Sequence, residues 1–229
     1  MNSLTRPEDS LDFAAARRWM VEQQLRQNGI RDERVLQAML EIPREEFVPQ
    51  SQRARAYDDC PLPIGFGQTI SQPLTVAFQC EALELQGDER VLEIGTGSGY
   101  AAAVLSRLCR EVFTVERIGE LSCRAESAIR RLGYANVHLY CADGTLGLPS
   151  FAPFDAIVVT AGGKSLPEPY EEQLAMGGRI VMPIGPSRTH QSMMRFTKLP
   201  GLLQSENLGG FLFVPLVGRF GWQENGAAD

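Results

Sequence analysis

The decapeptide Val91-Leu92-Glu93-Ile94-Gly95-Thr96-Gly97-Ser98-Gly99-Tyr100 constrains the fold of this chain more than any other stretch. A short apolar run carrying the acidic Glu93 gives way to three glycines at alternate positions, and Ala101-Ala102-Ala103-Val104-Leu105 then continues as a good helix former. The order is strand, tight turn, helix: the place where an α/β fold presents backbone amides to a ligand. Glycine is required there because the turn needs positive φ and leaves no room for a Cβ between backbone and ligand. The spacing is G-x-G-x-G, with Tyr100 where the dinucleotide fingerprint G-x-G-x-x-G has its last glycine. That shift favours S-adenosylmethionine, which has no pyrophosphate to cradle, over a nicotinamide or flavin cofactor.

From this turn onward the chain alternates strand and helix. Val91–Ile94, Glu111–Glu116, Val137–Tyr140, Phe154–Thr160 and Arg179–Ile184 read as strands. Helices are expected from Ala101, over 119–132 and around Glu171–Ala175, the last ending at Gly177-Gly178 as a helix C-cap. Phe154–Thr160 is apolar enough to be buried on both faces, as parallel strands are. Met193–Phe196 and Phe211–Val217 look like added strands at a sheet edge, where Pro215 is tolerated. Upstream, apolar residues at helical spacing (Phe13, Ala16, Met20, Leu25) predict a helix over 11–28, and a second runs from Asp32 to Pro43. The Pro- and Gly-punctuated stretch from Tyr57 to Pro73 reads as a long structured loop, and a helical pattern resumes after Pro73. The expected fold is α/β: a Rossmann-like, doubly wound, mainly parallel sheet with an N-terminal helical and loop addition and C-terminal edge strands. It divides into 1–86, helices and substrate loop packed on the core, and 87–229, the core itself, in one structural domain.

Composition narrows the function. With 44% hydrophobic and 22% charged residues the chain is ordinary for a globular protein, and no apolar run is long enough to span a bilayer. Acidic residues stand near the start where a signal peptide needs its apolar region, and 223–229 is a polar tail. A net charge of −6 disfavours a nucleic-acid partner. Five scattered cysteines without a Cys-x-x-Cys pair read as reduced thiols in a cytoplasmic protein. His138, in a strand-like segment, reads as a packed core histidine and His190 as a surface loop residue. No metal site or Ser-His-Asp triad is expected.

Glu116 ends the second strand, 21 positions after Gly95, where a carboxylate can accept hydrogen bonds from both ribose hydroxyls of an adenosine ligand. Asp143 comes after the third strand and can accept from the exocyclic amine of adenine, with Gly144 allowing close approach. Asp155 reads as structural or as a ligand contact. The loop Pro63-Ile64-Gly65-Phe66-Gly67-Gln68-Thr69-Ile70-Ser71-Gln72-Pro73 displays Gln68, Thr69, Ser71 and Gln72 just before a helix, and Ser71 doubles as a candidate N-cap.

These pieces together resemble the bacterial-type protein-L-isoaspartate O-methyltransferase family. The match runs in family order through Pro61–Pro73, Val91–Tyr100, Val115-Glu116-Arg117, Phe154–Ala161, Gly177–Gly185 and Phe213–Leu216, over roughly residues 15–220. The Gly-Gln-Thr-Ile-Ser-Gln-Pro loop is its most discriminating element. The family often has Gly-Asp-Gly at Ala142-Asp143-Gly144, and 186–210 matches weakly. The resemblance implies Ser71 as the active-site residue, with Gln68, Thr69, Ile70, Gln72, Val214, Pro215 and Leu216 holding substrate. It implies Glu93, Gly95, Thr96, Gly97, Ser98, Gly99, Glu116, Arg117, Asp143, Gly144 and Thr160 around S-adenosylmethionine (S-adenosylhomocysteine after transfer). The implied reaction methylates the free carboxyl of L-isoaspartyl residues in damaged proteins and peptides, after which the ester collapses to a succinimide. A monomer acting without membrane or nucleic acid is expected. The alternatives are a related enzyme esterifying normal aspartates of one peptide, a small-carboxylate methyltransferase, an NAD-dependent oxidoreductase and a non-catalytic nucleotide-binding module.

Overall fold

The structure, a computed structural model, describes residues 12–223; the acidic start and nearly all of the polar tail lie outside the described residues. The first helix, α1 (Phe13–Trp19), is capped by Asp12, whose carboxylate accepts from the Ala15 amide. It runs into a π-helical turn, Met20–Leu25, in which the Arg26 amide donates to the Val21 carbonyl at 3.0 Å. The wide turn brings Met20 and Leu25, five positions apart, into the same apolar cluster. Helix α2 (Glu33–Glu41) starts on the Asp32 cap and stops before Pro43.

The stretch 57–73, expected as a long structured loop, contains regular strand pairing. It folds into an antiparallel hairpin, β1 (Leu62–Gly65) and β2 (Gln68–Ile70), before helix α3 (Pro73–Ala82). Its tip is possible because Gly65 and Gly67 flank Phe66, all three at positive φ. The proposed Ser71 cap is also corrected: Gln72 is the N-cap residue, and the α3 amide of Leu74 donates to Asp59 Oδ1 at 3.4 Å.

The sheet continues the chain as β3 (Arg90–Ile94), β4 (Glu111–Glu116), β5 (Val137–Cys141), β6 (Phe154–Val159), β7 (Leu174–Ser187), β8 (His190–Leu199) and β9 (Leu202–Phe211). Helices α4 (Tyr100–Leu105), α5 (Gly119–Arg131) and α6 (Glu168–Gln173) connect the parallel strands. The order is β5-β4-β3-β6-β7-β8-β9, parallel through β7 and antiparallel at β8 and β9. Winding proceeds outward from β3 to β5, then returns to the other side of β3 at β6. This reversal opens a crevice at the carboxyl ends of β3, β4 and β6.

Period-two alternation sends Val91, Val112, Ala156, Val158 and Val181 into the cluster shared with α2, α3 and α4. Leu92, Ile94, Phe113, Val115, Ile157 and Val159 face the opposite cluster with Tyr170 and Leu174. Each such fully buried aliphatic side chain contributes about 1.5–3 kcal/mol relative to exposure.

Two expectations about secondary structure and one about burial are revised. Gly177-Gly178 is not a helix C-cap, because α6 ends at Gln173 and β7 begins at Leu174. Pairing with β6 is instead interrupted there, shifting between Phe154↔Leu174 and Ala156↔Arg179. Phe211–Val217 is not a strand: β9 ends at Phe211, and beyond it only isolated bridges join Pro215 to Gly162 and Val217 to Trp222. His138 is partly exposed, not core, with its ring 5.0 Å from Phe113 and Nε2 3.3 Å from Glu111 Oε1.

Candidate active site

At the carboxyl end of β3 the chain turns through Gly95, Gly97 and Gly99 at φ +96, +54 and +87. The Gly95 and Thr96 amides donate to the Val115 carbonyl at 2.9 and 3.2 Å, tying the turn to β4. Thr160, just past β6, donates its hydroxyl to the Gly95 carbonyl at 2.7 Å. A Cβ on Gly95 would collide with that same Oγ1. Positive φ and close packing therefore both demand glycine at this one position.

Glu116, at the end of β4, is 6% exposed and turns back over the glycine turn. Its Oε2 accepts from the Gly97 amide at 2.8 Å and its Oε1 from the Ile118 amide at 2.9 Å. The carboxylate is thereby oriented by two donors and borders a cleft of about 560 Å³ including its open mouth. Carboxylate and glycine turn border this cleft together with the hairpin residues Gln68 and Thr69 and the strap Val214-Pro215-Leu216. Arg117, Gly144 and Thr160 also border it. Sequence reasoning passed over Ile94, Val115, Ile118, Ala161 and Val217, apolar neighbours of the motif residues that complete the walls. Their only signal was adjacency to residues already singled out.

The lining of the cleft, an apolar wall with one carboxylate acceptor, suits the chemistry of a nucleoside. The wall of Ile94, Val115, Ile118 and Leu216 is apolar, with Glu116 as an acceptor between its halves. Gly144 closes in so tightly that a Cβ there would lie 2.8 Å from Ile94 Cγ2.

Other expected site residues lie off these walls. Glu93 is 0% exposed and faces the helix-side cluster, because alternation along β3 points it away from Ile94. Its Oε2 accepts from the Thr114 hydroxyl at 2.5 Å, which lies 2.6 Å from the Thr96 hydroxyl, and its Oε1 has no partner. Burial, partly opposed by the Thr114 bond and assisted by nearby Glu116, pushes its pKa up to about 8. Asp143 caps the short turn Gly144–Leu146 and accepts from the Thr145 amide and hydroxyl and from the Arg219 amide, at 2.9, 2.7 and 2.9 Å. Burial opposes its ionisation, but these donors and nearby Arg117 outweigh it and hold the pKa below the usual range. Asp155 accepts from the Arg90 amide at 2.8 Å, a structural contact. Thr96 is buried, Gly99 opens α4, and Ser98 Oγ accepts from the Tyr100 amide at 3.3 Å.

Ile70, Ser71 and Gln72 lead from the hairpin into α3 and are likewise not on the cleft walls. Ser71 is half-buried. Its carbonyl accepts from the Arg44 guanidinium at 2.7 Å, while Gln72 donates to Asp59 at 2.9 Å. Arg44 gave no sequence signal, standing among charges in Pro43-Arg44-Glu45-Glu46. Among the described residues no cluster of His, Cys, Asp and Glu could hold a metal ion. The five cysteines are free, and no described helix is long and apolar enough to cross a membrane.

The sequence profile of the protein-L-isoaspartate(D-aspartate) O-methyltransferase family matches residues 16–221. A protein-L-isoaspartate O-methyltransferase of Rhodopseudomonas palustris is 52% identical over 216 residues, 94% of this chain and 88% of that one. Another, from Pelobacter propionicus, is 54% identical over 204 residues, 89% and 91% of the two chains. Among solved structures, one protein-L-isoaspartate O-methyltransferase superposes with TM-score 0.80 at 35% identity, covering 89% of this chain and 65% of its own. A Plasmodium falciparum structure assigned to the same class, in complex with S-adenosyl-L-homocysteine, gives 0.76 at 25% identity, covering 88% and 98%.

Proposed function

The chain belongs to the protein-L-isoaspartate(D-aspartate) O-methyltransferase family, and we propose that methyl transfer takes place in the cleft between the glycine turn and the β1–β2 hairpin. It is an S-adenosylmethionine-dependent protein carboxyl methyltransferase acting on L-isoaspartyl residues. The observation that carries the site assignment is the shared wall. Glu116, oriented by the Gly97 and Ile118 amides, borders one cleft with Gln68 and Thr69, three and two positions ahead of Ser71.

S-adenosylmethionine, when bound, supplies a methyl group made electrophilic by its sulfonium. Glu116 accepts from the ribose hydroxyls, the glycine turn leaves its backbone open to close approach, and the apolar wall takes the adenine. The acceptor carboxyl has a pKa of about 4 and is ionised at neutral pH, so no general base is needed. The chain's contribution is position and exclusion of water. The Ser71 hydroxyl has no partner among the described residues and is available to donate to that carboxylate. The strap Val214-Pro215-Leu216 holds the substrate backbone opposite it. Asp143 supports the adenine end by anchoring the Arg219 amide beside Gly144. On the same reading the enzyme acts as a cytoplasmic monomer without nucleic acid.

Purified protein is incubated with methyl-labelled S-adenosylmethionine and a matched pair of isoaspartyl and aspartyl peptides. Label is expected on the isoaspartyl peptide alone. Equal labelling of both would make this an aspartate-modifying enzyme, and no labelling of either would remove the proposal.

A further inference from the structure

Among the described residues Arg44 is the one buried basic side chain. It sits in the turn Arg44–Phe47 after α2 and is 0% exposed. No carboxylate among the described residues pairs with it: its neighbour Glu45 is engaged by the Tyr57 hydroxyl and by Arg17. Its Nε donates to the Ala56 carbonyl at 2.7 Å and one terminal nitrogen to the Ser71 carbonyl at 2.7 Å. The other terminal nitrogen, Nη1, has no partner. The guanidinium lies over the Tyr100 ring, 4.8 Å from its centroid.

A buried cation without a counter-ion is costly, and a hydrophobe of similar length would pack that space at less cost. Arginine stays ionised even where burial lowers its pKa, as it does here. The two carbonyls it serves bracket the segment 57–70, so one side chain holds both ends of the unit that carries the β1–β2 hairpin. Helix α3 is already met at its N-terminus by Asp59, so the positive charge next to Ser71 comes from Arg44.

We propose that Arg44 is a positioning residue of the acceptor site: it pins the Ser71 backbone from behind and supplies the positive charge that makes this loop select a carboxylate over a neutral acceptor. The proposal rests on the assignment of the Ser71 loop as the acceptor side. It asks for no contact between Arg44 and substrate. The guanidinium acts through Ser71 and through its field, which is strong where water is excluded.

The test uses the full chain as wild type, Arg44→Met and Arg44→Lys, with an isoaspartyl peptide and the same peptide carrying a neutral α-carboxamide. KM is measured for the first, the inhibition constant for the second, and S-adenosylhomocysteine affinity by calorimetry. Wild type is expected to favour the carboxylate. In Arg44→Met that preference should fall on the order of ten-fold, nearly all of it in KM for the carboxylate. Its carboxamide inhibition and S-adenosylhomocysteine affinity should change less than about three-fold. Arg44→Lys keeps the charge but cannot hold both carbonyls, so it should keep the preference and lose kcat. An unchanged preference in Arg44→Met overturns the proposal. So does a loss of S-adenosylhomocysteine binding in either variant, because that makes Arg44 a general support of the fold. If wild type does not methylate the isoaspartyl peptide, it is the assignment of the activity that fails.

Discussion

Replacing Glu116 with glutamine removes a charge without removing volume, and the hydrogen-bond geometry determines the cost. Each carboxylate oxygen accepts from a different backbone amide, Oε2 from Gly97 at 2.8 Å and Oε1 from Ile118 at 2.9 Å. Glutamine has one acceptor oxygen, so one of the two amides must face an NH2 group. A stranded amide in this part-buried turn costs about 1 kcal/mol, the low end for a buried donor, which in a domain of this size lowers the melting temperature by about 2–4 °C. The cost to the ligand is separate. Hydrogen bonds to a charged acceptor are worth about 1 kcal/mol more than to a neutral one, and two ribose hydroxyls make that about 2 kcal/mol. S-adenosylhomocysteine should therefore bind on the order of 30-fold more weakly. Calorimetry with Glu116→Gln, alongside thermal melting of the ligand-free protein, reads both effects. A Kd within three-fold of wild type would falsify the ribose assignment, and an unchanged melting temperature would mean that the carboxylate does not organise the turn.

Ser71→Ala should lower kcat on the order of ten-fold or more, the worth of one hydrogen bond to a charged group, with S-adenosylhomocysteine affinity unchanged. Parallel losses in steady-state kinetics and calorimetry would make the serine structural. Gly95→Ala should destabilise the fold by about 2–3 kcal/mol: about 1–2 for the positive φ and about 1 for the displaced Thr160 bond. In urea denaturation Gly95→Ala/Thr160→Ala should lose less than the sum of the single changes; strict additivity argues against the collision. Glu93, with a folded pKa raised from 4.5 to about 8, keeps its proton after the unfolded chain has lost it. Stability from this group is fully present below pH 4.5 and is lost as pH rises through about 8. Glu93→Gln cannot ionise, so denaturant melts from pH 5 to pH 9 should show it gaining on wild type as pH rises. A difference that does not change with pH contradicts the raised pKa.

The parallel strands were legible because each is a short apolar run bounded by turn residues, and the glycine turn because its spacing is local. Glu116 was legible for the same reason, a carboxylate at a strand end. The hairpin at 62–70 was missed because its strands are four and three residues long and broken by Pro63 and Gly65. Their pairing, not their composition, makes them strands. The strand expected at 211–217 was over-read from its apolar residues: Val214, Pro215 and Leu216 border the cleft instead of joining the sheet edge. Glu93 was singled out for its neighbours in sequence. Alternation along β3 turns its side chain to the far face, into hydrogen bonding with Thr114.

By itself the sequence determined that strand, glycine turn and helix succeed one another here, that a carboxylate stands at the end of the next strand, and that a serine-bearing segment precedes α3. These rest on local chemistry: positive φ admits glycine, and apolar runs seek burial. Only the tertiary structure decided which of these groups share a wall. It brings Gln68 and Thr69 to the glycine turn, sends Glu93 and Asp143 to supporting contacts, and buries Arg44 unpaired beneath Ser71. Such meetings depend on strand order and on the face each side chain takes, and neither is written in the neighbourhood of any one residue.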